Sequence, residues 1–189
     1  MIIANNIEKS FGPQSLFEGV SFLINEGERV GLVGKNGTGK STLFKMILGQ
    51  ESPDSGTLIT PKGYRIGTLE QIICFTQPTV LEECIKVLSP EKQWDHYKAE
   101  IILSGLGFSE QDFLKDPATF SGGYQVRINL CKALLADPNM LLLDEPTNYL
   151  DILSLRWLKE YLNKWPGEMV LITHDRDFMD KVTTHTLGL

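Results

Sequence analysis

The apolar residues of the chain follow two spacings, and each spacing predicts a different kind of element. Short runs that are apolar or alternating predict strands near the N-terminus and at 29–33, 140–143 and 169–173. Between 79 and about 115 the apolar residues recur three and four positions apart, which predicts helices. Strands that alternate with helices are typical of an α/β fold. The pattern therefore predicts a mixed sheet core with an antiparallel β hairpin region and an inserted helical subdomain.

Turn residues divide the first strands into predicted hairpins. A strand that starts at Ile2 is followed by a second strand at 20–24, which favours an antiparallel pair. Two shorter strands at 57–60 and 64–69 flank the turn sequence Pro61-Lys62-Gly63. This arrangement predicts a second hairpin.

The helical segment contains clear start signals. Thr79 and Glu82 form a capping box in front of the first helix, and Ser109 precedes a short third helix. The second helix follows Pro90, and the apolar residues that share one of its faces are Trp94, Tyr97 and Ile101. We expect a single domain, 1–189, in which 1–78 and 116–189 form the core and 79–115 form the helical subdomain.

Charge and cysteine content narrow the classes of function. The formal net charge is −6, which argues against a broad nucleic-acid-binding surface. The three cysteines lack paired spacing, which indicates reduced thiols that fill apolar space. The sequence contains no apolar run of membrane-spanning length and no secretion signal. These features predict a cytoplasmic domain with no direct membrane insertion.

A glycine-rich segment between the third strand and the next helix has the form of a phosphate-binding loop. It fits the pattern G-x-x-x-x-G-K-[ST], and the residues expected to bind phosphate are Gly34, Asn36, Gly37, Thr38, Gly39, Lys40, Ser41 and Thr42. The backbone amides and the helix dipole attract anions. Lys40 is expected to reach the β- and γ-phosphates, and the Ser41 hydroxyl to ligate Mg²⁺. The alternative is a glycine-rich turn that merely precedes a helix.

Two later strands carry polar residues at their ends. Asp144 and Glu145 follow the apolar run 140–143, as in a Walker B segment, so Asp144 is expected to hold Mg²⁺ and Glu145 to activate water. The alternative is a solvated turn. His174 follows the run 169–173 and is expected to contact the γ-phosphate or to position the water. A capping or solvent-facing histidine is the alternative.

Two further segments have weaker signals. Gln71 follows the strand 64–69, and its amide is expected to bind the metal or water and to report loss of the γ-phosphate; a surface polar residue is equally consistent with its spacing. Ser121, Gly122 and Gly123 open a helix and predict a second anion site, with an ordinary N-cap as the alternative.

In their order along the chain, these motifs resemble the nucleotide-binding domain of the ATP-binding cassette (ABC) family of P-loop NTPases. The resemblance rests on the phosphate loop, Gln71, the helical insertion, Phe120-Ser121-Gly122-Gly123, Leu143 to Thr147, Asp151 and His174. It implies ATP bound between two such domains, in tandem or as a homodimer, with the phosphate loop of one facing the Ser121–Gly123 segment of the other. It also implies that Phe11 stacks on adenine and that Asp151 acts across the interface. Without the resemblance, Phe11 is a turn-flanking aromatic or a core residue.

Within the family the sequence is most similar to the first domain of the ABC-F branch, which acts on ribosomes. The segments that carry this likeness are Gly27 to Gly34, Ser121 to Tyr124, and Asp144 to Asp151. The branch usually has a second domain and a long helical arm, whereas only 50 residues separate Gln71 from Ser121 here, and Tyr149 replaces a usual histidine. The resemblance implies an Mg²⁺-dependent ATPase that is poorly active as a monomer. The alternatives are a transporter ATPase subunit and a nucleotide-gated structural module.

Overall fold

The computed structural model describes residues 1–69 and 73–189. Within these residues the chain forms two compact units, the first comprising 1–66, 139–144 and 166–189 and the second comprising 67–138 and 145–165. In chain order the strands are β1 (Ile2–Phe11), β2 (Gln14–Ile24), β3 (Arg29–Val33), β4 (Ser55–Ile59), β5 (Ile66–Thr68), β6 (Met140–Asp144), β7 (Glu168–Ile172) and β8 (His185–Gly188). The α-helices are α1 (Lys40–Ile47), α2 (Val80–Ile85), α3 (His96–Gly105), α4 (Gly122–Leu135), α5 (Ile152–Asn163) and α6 (Arg176–Val182). Short 3₁₀ helices span Pro90–Asp95, Glu110–Leu114 and Pro117–Thr119.

An antiparallel sheet of order β2-β1-β4 lies in the first unit. The predicted hairpin of β1 and β2 is confirmed, and β2 begins earlier than expected. The predicted hairpin of β4 with β5 is wrong, because β4 pairs with β1, with Ile3 opposite Ile59, while β5 joins the other sheet. Strand pairing is decided by which apolar faces can be buried together, and a local turn does not determine it.

The second sheet has the order β5-β6-β7-β3-β8 in the described part of the chain. Strands β6, β7, β3 and β8 run parallel. Residues 140–143 of β6 and all of β7 are buried, as expected for strands covered on both faces. Because parallel strands end at the same edge, the residues that follow β3, β6 and β7 emerge together.

The apolar core of the first unit lies around these sheets and α1. It includes Ile2, Ile7 and Phe17 from the antiparallel sheet, and Leu32 and Leu142 from the parallel sheet. The helix α1 contributes four buried apolar side chains, Leu43, Phe44, Met46 and Ile47. This packing fixes the N-terminus of α1 in space relative to the end of β3.

The second unit is helical apart from its part of β5. Thr79 accepts a hydrogen bond from the amide of Glu82 at 3.2 Å, and Ser109 forms a capping box with Asp112, so both predicted helix starts are confirmed. Gly105 of α3 lies so close to Trp157 of α5 that a Cβ at this position would come within 2.1 Å of the indole. The two helices therefore pack through a glycine.

One apolar face of the second unit is exposed. Trp94, Tyr97 and Ile101 are 86%, 49% and 56% exposed, while α3 buries Ala99, Ile102 and Leu103 instead. An apolar stripe usually marks the face of a helix that packs against the core. In α3 the buried face is instead the one that carries Ala99, Ile102 and Leu103. The cysteines also differ from the expectation, since Cys84 and Cys131 are buried but Cys74 is exposed.

Candidate nucleotide-binding site

The phosphate loop forms an open cradle in front of α1. Residues 34–37 are exposed, and Gly39 is the N-cap of α1 with φ of 99° and no side-chain cap. Glycine adopts this left-handed conformation without strain. A Cβ on Gly39 would lie 2.8 Å from the ring of Phe17, so the position also has no room for a side chain. Sequence and packing thus agree on a backbone turn in which, among the described residues, no side chain caps the start of α1.

Lys40 lies over this cradle. Its Nζ donates hydrogen bonds to the carbonyl oxygens of Gly34 at 2.8 Å and Lys35 at 3.0 Å, and Lys40 has no carboxylate partner among the described residues. The ammonium group is therefore held by weak neutral acceptors, which a phosphate oxygen can replace. Ser41 is exposed and Thr42 is partly buried in the first turn of α1. The loop fits an anionic, phosphate-bearing ligand.

The acidic residue and the histidine predicted from strand ends lie at the same edge of the parallel sheet. Asp144 ends β6 opposite Ile172 of β7, and His174 follows Ile172 by two residues. Strand β3 pairs with β7 and leads into the phosphate loop. Asp144 and His174 are both exposed. Fold topology therefore brings Asp144 and His174 to the edge where β3 ends, and an exposed carboxylate beside a phosphate loop suits Mg²⁺.

Phe11 lies at the end of β1 and is 51% exposed. Its ring centroid is 5.2 Å from Nζ of Lys9. The alternative that Phe11 fills the core is wrong. An exposed aromatic ring is available for stacking, and the adenine contact stays a prediction.

Glu145 opens a backbone-strained loop in the second unit. Its φ is 50°, and Tyr149 in the same loop has φ of 67°. Left-handed conformations cost free energy for residues with a side chain and tend to occur at functional sites. The Glu145 carbonyl accepts a hydrogen bond from the Asn148 amide at 3.1 Å. Glu145 is thus held in a defined turn, and its activation of water stays a prediction.

The Ser121–Gly123 segment starts the 14-residue helix α4. Ser121 is the N-cap but makes no side-chain cap hydrogen bond, so the ordinary capping interpretation lacks its main contact. A Cβ on Gly122 would meet nothing within 4 Å, whereas one on Gly123 would lie 3.2 Å from Cβ of Tyr149. Within the described residues, a side chain at 123 would therefore be tightly crowded by Tyr149, whereas one at 122 would meet open space.

Asp151 caps helix α5. Its carboxylate accepts hydrogen bonds from the amides of Leu153 at 3.1 Å and Ser154 at 2.9 Å. The Ser154 amide lowers the pKa of Asp151, and Arg127 adds to this effect. Asp151 therefore has a structural contact within its own chain, and its predicted action across an interface stays a prediction.

Arg127 is a structural residue that the sequence did not single out. It is 6% exposed and donates to the carbonyl of Tyr149 and to the carboxylate of Asp151. The sequence does contain a signal for it. The i, i+3, i+4, i+7 spacing of a buried helix face is shared by Arg127, Leu130, Cys131 and Leu134. A charge on such a stripe indicates a buried cation that needs acceptors.

Gln71 lies outside the described residues. Among the residues that are described, no group of three or more His, Cys, Asp or Glu side chains could hold a metal ion. A magnesium site of the predicted kind does not require such a group, since one hydroxyl, one carboxylate and phosphate oxygens suffice.

Comparison with known proteins assigns the family. The family model described as "ABC transporter" matches residues 17–148. The chain belongs to the ABC family. The resemblance seen in the sequence is confirmed, and the chain is an ABC-F-like nucleotide-binding domain of a family of ATPases.

Curated relatives support the ABC-F likeness. The energy-dependent translational throttle protein EttA of Escherichia coli (strain K12) is 40% identical over 186 residues, covering 97% of this chain and 34% of EttA. The probable ATP-binding protein YheS of Haemophilus influenzae is 34% identical over 219 residues, covering all of this chain and 34% of YheS. ABC transporter F family member 5 of Arabidopsis thaliana is 35% identical over 95% of this chain and 32% of the relative. The chain spans about a third of the length of these relatives.

Solved structures of ABC ATPases share the fold. An ATP-binding subunit of an ABC transporter matches with a TM-score of 0.85 at 24% identity, covering 100% of this chain and 85% of that one. The ATP-binding cassette MJ0796, in a dimeric post-hydrolysis state bound to ADP and Pi, matches with a TM-score of 0.78 at 24% identity, covering 100% and 94%. The predicted fold class is confirmed. No helix within the described residues is long and apolar enough to cross a membrane.

Proposed function

We propose that this domain hydrolyses Mg²⁺-ATP between two domains and that their closure is its mechanical output. The observation that carries this proposal is the contrast between two helix starts. The phosphate loop at α1 has a cradle and a lysine of its own, while the start of α4 has an exposed glycine, Gly122, with open space beside it. The second start suits an anion delivered by another domain, in tandem or in a homodimer.

In this proposal each predicted residue has a role. Lys40 would offset charge on the β- and γ-phosphates, and His174 would hold the γ-phosphate. Glu145 would take the proton of the attacking water. Mg²⁺, held by Ser41 and Asp144, would neutralise the phosphate oxygens. The amide of Gln71 would bind the metal or water, Phe11 would stack on the adenine base, and Asp151 would act across the interface.

We further propose that the biological target is the ribosome and the compartment the cytoplasm. The name of the relative EttA links that protein to translation. All three cysteines of this chain are free thiols, which is consistent with a reducing compartment. Since a single domain offers half of each composite site, we expect the monomer to hydrolyse ATP slowly.

The test is ATP-driven association of Glu145→Gln. Blocking water activation should trap the closed dimer, which light scattering would detect as a doubling of mass in Mg²⁺-ATP but not in Mg²⁺-ADP. Wild-type turnover per molecule should rise with protein concentration. Glu18→Gln, which changes an exposed glutamate of β2, serves as the matched control and should behave as wild type. Fast hydrolysis that is independent of concentration would overturn the two-domain proposal.

The ribosome proposal has its own test. Glu145→Gln in Mg²⁺-ATP should cosediment with purified ribosomes, and omission of ATP should release it. Absence of cosedimentation for a protein that dimerises in ATP would contradict the target while leaving the ATPase proposal intact.

A further inference from the structure

Arg127 connects three segments of the second unit through a single buried side chain. Its Nε and Nη2 both donate to the carbonyl oxygen of Tyr149, at 2.9 and 2.6 Å. Its Nη1 donates to the carbonyl of Leu106 at 2.8 Å and to the carboxylate of Asp151 at 3.0 Å. A guanidinium group is planar and carries five donors, so it can hold a backbone carbonyl with two of them and still reach two other acceptors.

The residues around Arg127 leave space for its guanidinium group. Gly107 has φ of 90°, and a Cβ there would lie 2.8 Å from Nη1 of Arg127. The ring of Tyr124 covers the other side, with 4.6 Å between the ring centroid and Cζ of Arg127. A cation against an aromatic face is stabilised by the ring quadrupole. The charge is therefore buried together with its acceptors, and replacing it by a point charge of different shape would leave acceptors unpaired.

The contacts join parts of the proposed composite site. Arg127 is one turn into α4 from the Ser121–Gly123 segment, and its main acceptor, the Tyr149 carbonyl, belongs to the strained loop that runs from Glu145 to Asp151. A Cβ built on Gly123 would lie 3.2 Å from Cβ of Tyr149, so the loop passes close to the start of α4. The guanidinium of Arg127 joins α4 to this loop through the Tyr149 carbonyl.

We propose that Arg127 is a positioning residue that fixes the loop 145–151 to the start of α4, so that the Ser121–Gly123 segment and Asp151 meet a second domain as one surface. This inference rests on the proposed two-domain function. It gives the strained loop a source of support, since residues in disfavoured conformations persist only where their surroundings hold them. It also gives Tyr124 a role, because its ring shields the guanidinium from water.

The test compares Arg127→Lys and Arg127→Met with Lys132→Met. Lys132 is also a buried cation of α4, but it pairs with Glu83 of α2 at 3.1 Å, so it controls for the loss of a buried charge. Hydrogen–deuterium exchange of the peptide covering 145–155 should accelerate by about tenfold in both Arg127 variants. In Lys132→Met the same peptide should exchange as in the wild type. Lysine at position 127 should not restore the slow exchange of this peptide, because its single ammonium group cannot replace the planar guanidinium with its several donors.

Kinetics supply the second readout. Arg127→Lys should lower kcat by about tenfold and weaken ATP-driven association in the Glu145→Gln background, while the affinity of a fluorescent ATP analogue for the monomer changes less than about twofold. Unchanged exchange of the loop in Arg127→Lys, or equal acceleration in Lys132→Met, would overturn the inference. If the wild type fails to hydrolyse ATP, the proposed function fails, and the exchange experiment still decides the role of Arg127. If Arg127→Met does not fold, Arg127→Lys carries the test.

Discussion

The starts of α1 and α4 are both glycine-rich helix N-termini, yet they are anchored by different forces. Helix α1 buries Leu43, Phe44, Met46 and Ile47, and its buried set contains no charged side chain. Helix α4 buries Arg127 and Lys132 among its apolar residues. The first anchor is apolar packing, worth about 2 kcal/mol for each buried side chain. The second combines apolar packing, for example by Leu130 and Leu134, with hydrogen-bonded buried charges, whose strength is conditional on their partners.

This difference matters for what each helix start can do. The α1 start is complete within its own unit, because Gly39 is crowded by Phe17 and Lys40 lies over the loop. At the start of α4, Arg127 is buried and hydrogen-bonded, while the space beside Gly122 is open. In the proposed two-domain function, α4 must keep its direction when its first turn meets the second domain, and the hydrogen bonds of Arg127 would hold it. The following predictions test the contrast, from the largest expected effect to the smallest.

Lys40→Met should remove the cation whose Nζ contacts the carbonyl oxygens of Gly34 and Lys35 in the phosphate loop. We expect hydrolysis to fall by about 100- to 1000-fold, because charge that develops on the phosphates loses its compensation. Phosphate release at saturating Mg²⁺-ATP measures the effect. Lys45→Met changes an exposed lysine of the same helix and should leave the rate unchanged. Equal losses in both variants would mean that general surface charge, and not the loop lysine, supports turnover.

Glu83→Gln should weaken the charge-based anchor of α4. Glu83 is fully buried and pairs with Lys86 at 2.5 Å and with Lys132 at 3.1 Å. Removing one partner of a buried pair costs about 3 kcal/mol, which urea unfolding at pH 7 would measure. Glu91→Gln, at an exposed glutamate of the same unit, should cost almost nothing.

The same pair predicts a pH dependence. Burial raises the pKa of Glu83, but hydrogen bonds from Lys86 and from the Thr76 amide outweigh it, so the pKa lies below its ordinary value of 4.5. A carboxyl group with a lowered pKa contributes its stability above the ordinary value and loses it as the pH falls through the folded-state value. The difference between wild type and Glu83→Gln should therefore shrink on acidification below pH 4.5. A difference that stays constant down to the acid transition would show that the glutamate is not held as a charged group.

Gly39→Ala should destabilise the α1 start. The substitution forces a side chain into a left-handed conformation and against Phe17, so we expect a loss of about 2 kcal/mol in the free energy of unfolding. Gly37→Ala is the matched control, since Gly37 has a similar φ of 86° but open space around it. Its loss should be about 1 kcal/mol. Identical losses would show that Phe17 moves aside and that packing does not define this glycine.

Unlike Gly39→Ala, Gly122→Ala should leave the stability nearly unchanged and weaken association. Because the position is open, the free energy of unfolding should change by less than about 0.5 kcal/mol. ATP-driven association of the Glu145→Gln protein should weaken by about tenfold, because a methyl group blocks close approach of a phosphate to the helix amides. Gly188→Ala, which also meets open space, should change neither quantity. Unchanged association in Gly122→Ala would remove the functional distinction between the two helix starts.

Much of the fold was predictable wherever the signal was local. Strand β3 at 29–33 has the expected bounds, and the Thr79 and Ser109 caps form as expected. Each of these features depends only on residues that are a few positions apart in the sequence. The phosphate loop belongs to the same class, because its glycines, lysine and serine are contiguous.

The errors all involve long-range choices. Strand β4 was expected to pair with its neighbour in sequence but pairs with β1, about 50 residues away. The spacing of Trp94, Tyr97 and Ile101 predicts that they share a face, and in the structure all three are exposed. Local spacing reports which residues share a face, and only the neighbouring helices determine which face is covered.

The sequence by itself determined the chemistry of the loop, because a P-loop requires particular residues at adjacent positions and backbone conformations that glycine provides. It also determined the strand ends that bring Asp144 and His174 to one edge of the sheet, since parallel strands share their direction. The tertiary structure alone decided that Arg127 is buried, that its acceptors come from residues about 20 positions away on either side, and that Gly122 is left open. These properties depend on how separate helices and loops fill space together, and no contiguous segment contains that information.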